Sequence, residues 1–208
     1  MTLNRRLFLG GVAAGSALLS APMVLGQAKP RIVVIGGGAG GATVARYLAK
    51  DSKGALDVTL IEANPIYTTC FFSNLYLGGF RDFESLQHGY DKIAAGGVTV
   101  ITDMATTVDR AAKTVTLAGG QTLAYDRLVL SPGIDFKDGS VAGWTPADAE
   151  VMPHAYKAGP QTLLLKQQIE AMPQGGTFAM VAPPNPYRCP PGPYERISMV
   201  AWWLKQHN

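Results

Sequence analysis

The residue types that can do chemistry are concentrated in a few places: a glycine run from Gly36 to Gly41, an acid at Glu62, and two cysteines, Cys70 and Cys189. Gly36, Gly38 and Gly41 stand in the order G-x-G-x-x-G. In such a run the first glycine makes a tight turn and the second lets bare backbone approach a pyrophosphate. The third brings the following helix close to the sheet. The helix N-terminus then attracts the anion. Glu62 follows at about the twenty-residue spacing at which a carboxylate accepts from a ribose hydroxyl. A cysteine thiolate is a nucleophile that exchanges with disulfides. Cys70 and Cys189 could equally be small buried hydrophobes or a disulfide pair.

These groups work only if particular elements place them. Arg31 to Ile35 is an apolar run that predicts a buried parallel strand running into the glycines, and Ala42, Val44, Ala45, Tyr47 and Leu48 fit a helix packed on it. Asp57 to Ile61 predicts the second strand, with Glu62 at its end. Pro65 breaks the regularity, so Ile66 to Asn74, including Cys70, is a loop or helix start at the carboxyl edge of the sheet, where ligands of such folds sit. A helical segment around Tyr90 to Ala95 precedes a third strand at Val98 to Thr102. Short runs at Thr106 to Asp109, Thr114 to Leu117 and Gln121 to Leu123, with Gly119-Gly120 as a turn, predict an antiparallel meander. Tyr125 to Leu130 is an apolar strand that ends in Ser131-Pro132-Gly133.

Trp144 to Gly159 is irregular, and Gln161 to Met172 predicts a helix stopped by Pro173. Thr177 to Ala182 has the composition of a fresh buried strand, and Tyr194 to Leu204 that of the next helix. The residues between them, Pro183 to Pro193, are rich in proline, which lacks the amide donors that cradle a pyrophosphate. Pyridine-nucleotide binding there is not expected.

The domain boundaries that follow are 1–28 for a leader, 29–159 for a nucleotide-binding domain, and 160–208 for a linker helix and the first strand-helix unit of a second, incomplete domain. The fold class is α/β: a Rossmann-like domain with an inserted meander, then the start of a second dinucleotide-type domain. In the leader, Asn4-Arg5-Arg6-Leu7-Phe8-Leu9 precedes an uncharged stretch to Ala28, the pattern of a twin-arginine export signal cleaved near Gly26 to Ala28. A single membrane anchor is the other reading of that stretch, weakened by Pro22 and by its many small residues. Export to the periplasm with no stable membrane span after cleavage is therefore expected. Of the 18 basic residues, two lie in this leader, so the remainder nearly balances the 15 acidic ones and nothing points to nucleic acid.

Several segments together resemble the flavoprotein subunit of flavocytochrome c sulfide dehydrogenase, in the superfamily that also holds sulfide:quinone reductases. They are the Gly36 to Gly41 turn with Glu62, Tyr67-Thr68-Thr69-Cys70 with Ser73-Asn74, and Tyr125 to Gly133. Pro153-His154-Ala155-Tyr156-Lys157-Ala158-Gly159 and Tyr187-Arg188-Cys189-Pro190-Pro191-Gly192-Pro193-Tyr194-Glu195-Arg196 complete the set. The resemblance implies FAD as cofactor, with Ser131, Pro132 and Gly133 as further flavin contacts and a thioether from Cys70 to the flavin 8α carbon. It implies that Cys189 forms a redox disulfide with a second cysteine in a C-terminal half. It also implies sulfide as substrate and a c-type cytochrome as partner. Haem is expected only on that partner, since the chain has no C-x-x-C-H attachment site. Two alternatives stay open: a sulfide:quinone reductase-like flavoprotein, and a non-catalytic flavin-binding fragment.

His88, His154 and His207 show no metal-ligand spacing, so no metal site is expected. Lys157 and Arg188 read as solvated charges, and Trp202 and Trp203 as residues buried against chain that follows.

Overall fold

The computed structural model describes residues 28–207, so the export-signal reading lies outside the described residues. Four parallel strands form the main sheet: β1 (Arg31–Ile35), β2 (Asp57–Glu62), β5 (Thr99–Thr102) and β9 (Arg127–Leu130). Their spatial order is β5-β2-β1-β9. The chain thus builds outward in one direction through β2 and β5, then returns to the other side of β1. That reversal is a topological switch point, and open α/β sheets bind ligands outside the strand carboxyl ends at that crevice. The glycine run leaves β1 at this position.

The apolar runs pair as their composition demands. Val33 and Val34 of β1 and Val58, Leu60 and Ile61 of β2 are at most 2% exposed, because both faces of the sheet are covered. On one face Ile32, Val34, Val58 and Leu60 pack with Ala45 of helix α1 (Ala39–Asp51), and with Tyr90 and Val98. On the other, Val33 and Ile61 pack with Val115 and Leu117 of the meander and with Tyr125 just after it. That meander is β6 (Ala105–Asp109), β7 (Thr114–Leu117) and β8 (Thr122–Ala124), antiparallel throughout. A two-stranded ribbon, β3 (Ile66–Thr68) with β4 (Gln87–Gly89), takes up part of the segment expected to be loop. Inside it lies helix α2 (Ser73–Leu77), and α3 (Asp91–Ala95) follows β4.

The C-terminal region forms its own small core. Helices α4 (Pro160–Glu170) and α5 (Gly192–His207) bury Leu165, Ile169, Val200 and Trp203 against Leu77 of α2. Fully burying one such side chain stabilises the packing by about 1.5–3 kcal/mol. Trp203 is therefore buried within the described chain, at 7% exposure, while Trp202 is 41% exposed and meets Phe80 in a tilted ring contact at 4.8 Å between centroids. This corrects the reading that both await later residues.

A second correction concerns Thr177 to Ala182, which does not form a strand. Val181 is 76% exposed and the segment has no ladder partner among the described residues. A strand needs a neighbour to hydrogen-bond its backbone, and composition alone cannot supply one. The helix expected after it is present as α5.

Candidate functional site

Gly36 sits at φ +96°, where a side chain is strained, and its N–H donates to the Ile61 carbonyl at 2.8 Å. A Cβ there would collide with the Ser131 carbonyl, and one on Gly41 would collide with the Gly36 carbonyl. These two glycines are required by close backbone approach. Gly38 differs: the nearest atom to an added Cβ is a Tyr67 ring carbon at 3.7 Å, an ordinary contact. Packing does not demand glycine at Gly38, so its bareness leaves room for something other than protein. A Cβ on Gly133, at φ +86°, would meet nothing within 4 Å. With Gly38 at the N-cap of α1, the first-turn amides of that helix open toward this clear surface. The residues present fit a dinucleotide.

The turn is held from two sides. Glu62 Oε2 accepts from the Gly37 N–H at 2.6 Å, and Oε1 accepts from the backbone and side-chain amides of Asn64 at 3.0 and 3.2 Å. A carboxylate has about four acceptor positions, so lone pairs remain for a ribose hydroxyl. From below, the Tyr90 hydroxyl donates to the Gly37 carbonyl at 3.0 Å. Burial, with Glu62 nearby, pushes the Tyr90 pKa up to about 12, so it stays a donor. Tyr90 is a site residue that sequence reasoning missed, and no local signal marks it. Ser131 continues the arrangement by donating its N–H to the Ile35 carbonyl at 2.8 Å, which brings Ser131-Pro132-Gly133 beside the glycine turn.

Cys70 is exposed at the end of the segment that leaves β2. Its carbonyl accepts from the Ser73 N–H at 3.2 Å, closing the turn that opens α2. Cys189, also exposed, lies at φ +58° just before α5, and its carbonyl accepts from the Gly192 N–H at 2.9 Å. Neither is in a disulfide. Arg196 joins the two neighbourhoods. It is 7% exposed and donates from a terminal nitrogen to Ser73 Oγ at 3.0 Å, so α5 braces the Cys70 turn. Burial lowers its pKa, opposed by the Cys70 sulfur. A signal for Arg196 does exist in the sequence: carried back along α5 at helical spacing, the apolar stripe of Trp203 and Val200 lands on Arg196.

In the segment before α4, aromatic rings gather around Phe136. His154 packs at a tilt against Phe136 with ring centroids 4.6 Å apart, and Tyr156 meets the same ring edge-on at 6.4 Å. Burial lowers the His154 pKa, keeping the ring neutral, and raises that of Tyr156. Lys157 pairs with Asp135 at 2.8 Å on the surface, in keeping with the solvated reading. Arg188 is exposed. Among the described residues no cluster of His, Cys, Asp or Glu could hold a metal ion, and no helix is long and apolar enough to cross a membrane.

Comparison with known proteins adds three kinds of likeness. Residues 30–157 match the family model "Pyridine nucleotide-disulphide oxidoreductase". Residues 162–208 match "Sulfide dehydrogenase [flavocytochrome c] flavoprotein chain, central". Among curated relatives, the sulfide dehydrogenase [flavocytochrome c] flavoprotein chain of Chlorobaculum thiosulfatiphilum is 50% identical over 44 residues, 21% of this chain and 90% of that one. The probable ferredoxin reductase CtmF of Castellaniella defragrans is 36% identical over 110 residues, 51% of this chain and 27% of that protein. Among solved structures, the sulfide:quinone oxidoreductase of Aquifex aeolicus superposes with a TM-score of 0.53 at 26% identity, over 67% of this chain and 32% of that one. The chain thus spans about a third or less of the length of those two reductases.

Proposed function

From the premise that this chain belongs to the pyridine nucleotide-disulphide oxidoreductase family, and within it to the flavoprotein chains of flavocytochrome c sulfide dehydrogenase, we propose that it serves sulfide oxidation with a c-type cytochrome as electron acceptor. It is an FAD-dependent oxidoreductase of Rossmann-like fold. One observation carries the finer reading: two exposed thiols, Cys70 and Cys189, lie just before α2 and α5, helices that pack on each other.

Each residue then has a task. Gly38 leaves the pyrophosphate bare backbone to approach, Glu62 accepts from the ribose, and Ser131, Pro132 and Gly133 edge the flavin. Cys70 tethers it through a thioether. When bound, FAD supplies a two-electron acceptor that can release electrons singly. Cys189, in a disulfide with a second cysteine of the longer protein, is the group that hydrosulfide attacks. The new S–S bond makes a persulfide, the old one breaks, and the departing thiolate carries the electron pair onward. Reducing equivalents enter from sulfide and not from NADH, because the prolines of the 183–193 loop provide few amides for a pyrophosphate. Haem belongs to the cytochrome partner. The leader pattern supports a periplasmic location for this chemistry, reached already folded by the twin-arginine route.

The test uses the full-length protein made in an exporting host. After acid precipitation the wild-type protein is expected to stay yellow, with FAD on the Cys70 peptide by mass spectrometry. Sulfide should bleach the flavin and cytochrome c should restore it. Cys189→Ser should keep the covalent flavin, remain reducible by dithionite, and lose sulfide-dependent reduction by about a hundredfold or more, since a serine cannot form the disulfide. Flavin that washes off the wild type overturns the tether. Undiminished sulfide reduction in Cys189→Ser overturns the disulfide route.

A further inference from the structure

Three consecutive amides follow β1, and they end differently. The Gly36 N–H donates to the Ile61 carbonyl at 2.8 Å, and the Gly37 N–H to Glu62 Oε2 at 2.6 Å. The Gly38 N–H has no partner among the described residues. Gly37 is buried, Gly38 is half-buried, and Ala39 and Gly40 after it are exposed. A backbone donor left unpaired at such a boundary is open to water or to a ligand.

What points that donor outward is the other end of the same peptide. The Gly37–Gly38 bond is trans and planar, so its C=O and its N–H face in opposite directions. The carbonyl end is held by Tyr90, whose hydroxyl donates to it at 3.0 Å. Tyr90 is 8% exposed and packs in the core with Val34, Ala45 and Leu60, so the hydroxyl is presented by a ring that cannot swing away. With the carbonyl fixed toward the core, the Gly38 N–H faces away from it. The ring also touches the turn directly: a Cβ on Gly37 would lie 2.6 Å from the Tyr90 hydroxyl oxygen and 2.7 and 2.8 Å from two of its ring carbons. Gly37 is not at positive φ, so its backbone would accept a side chain. In G-x-G-x-x-G the second position is left free by the turn itself, and here the tyrosine is what requires glycine there.

We propose that Tyr90 is a positioning residue for the cofactor: by holding the Gly37 carbonyl it aims the Gly38 N–H at the pyrophosphate, and its ring keeps Gly37 bare. This rests on the assignment of the pyrophosphate to Gly38 and is independent of the sulfide, cytochrome and tether readings. Without the hydroxyl, the buried carbonyl loses its donor and the peptide turns to find another. The amide on its far side turns with it, because the unit is rigid.

The test reads the phosphorus NMR spectrum of the bound FAD in the full-length protein, and the affinity for FAD in a Cys70→Ser background where the flavin exchanges. Tyr90→Phe removes one oxygen and keeps the ring in the core. It should displace a pyrophosphate resonance, leave the flavin absorbance maxima in place, and weaken FAD about tenfold, as for loss of one charge-assisted hydrogen bond. Gly37→Ala pushes the ring off from the other side and should displace the same resonance. The two changes together should weaken FAD little more than either alone, since both act through one contact. A tyrosine that only filled the core would leave the phosphorus signals where they are. Unmoved signals in both flavin-loaded variants, with FAD affinity within about twofold of the parent, overturn the role of Tyr90. Gly38→Ala separates that outcome from its premise. A resonance displaced by Gly38→Ala but not by Tyr90→Phe excludes the tyrosine alone, whereas one that neither change moves shows that the pyrophosphate does not lie at Gly38.

Discussion

Two apolar runs in this chain lead toward a helix, and they have opposite fates. Arg31–Ile35 becomes a central strand with β2 on one side and β9 on the other, and its valines are buried. Thr177 to Ala182 has similar composition but stays irregular, with Val181 76% exposed. The turns that follow differ too: glycines with close backbone contacts after β1, prolines with an exposed thiol after Ala182. The contrast teaches that a nucleotide crossing is a property of the sheet around it. Glycines help only where flanking strands fix the backbone that they let approach.

The comparison breaks most severely at Gly41. Gly41→Val places side-chain carbon where the Gly36 carbonyl is and crowds Ser131 Cβ, so α1 must lift off the turn. A loss above about 4 kcal/mol is expected, with flavin content falling toward zero by absorbance on the purified protein. Next comes a matched pair of truncations. Leu60→Ala, at a side chain 0% exposed in β2, should cost about 2–5 kcal/mol in urea unfolding. Val181→Ala in the unpaired run should change stability by less than about 0.5 kcal/mol. A large effect at Val181 would mean that this segment finds strand partners in the longer protein, and the contrast would then be one of context alone.

The smallest effect is pH-dependent and sits at His154. Its pKa is lowered by burial from 6.5, so above that pH neither state binds the proton and the residue contributes nothing. As pH falls below 6.5 the unfolded chain takes up a proton that the folded chain resists, and stability declines until the lowered value is reached. His154→Gln should therefore show a shallower loss of stability between pH 6.5 and pH 5 in denaturant titrations. An unchanged slope would show that the ring is solvated.

How much of this was legible in the sequence follows the same physics. β1, β2, β5 and β9 read correctly to within about two residues, because strands covered on both faces are continuous apolar runs. The meander was visible through alternation and Gly119-Gly120. The β3–β4 ribbon was not, since its pairing joins Tyr67 to His88 across an intervening helix and neither run alternates. Glu62 was expected from spacing and is found gripping the turn, whereas its partner below, Tyr90, lies beyond any local pattern. The cysteines were visible as residue types, but the arginine that links their turns was not singled out, because charge usually signals exposure.

The grip on Gly37, by Glu62 on its N–H and by Tyr90 on its carbonyl, bears on the order of assembly. Both partners are protein groups, so the turn takes its shape when the sheet forms and no cofactor is needed to impose it. The entropy of ordering that backbone is charged to folding and not to association. Capture of the nucleotide by a newly made chain then resembles docking onto a finished surface, with an association rate set by diffusion and orientation and not by loop closure.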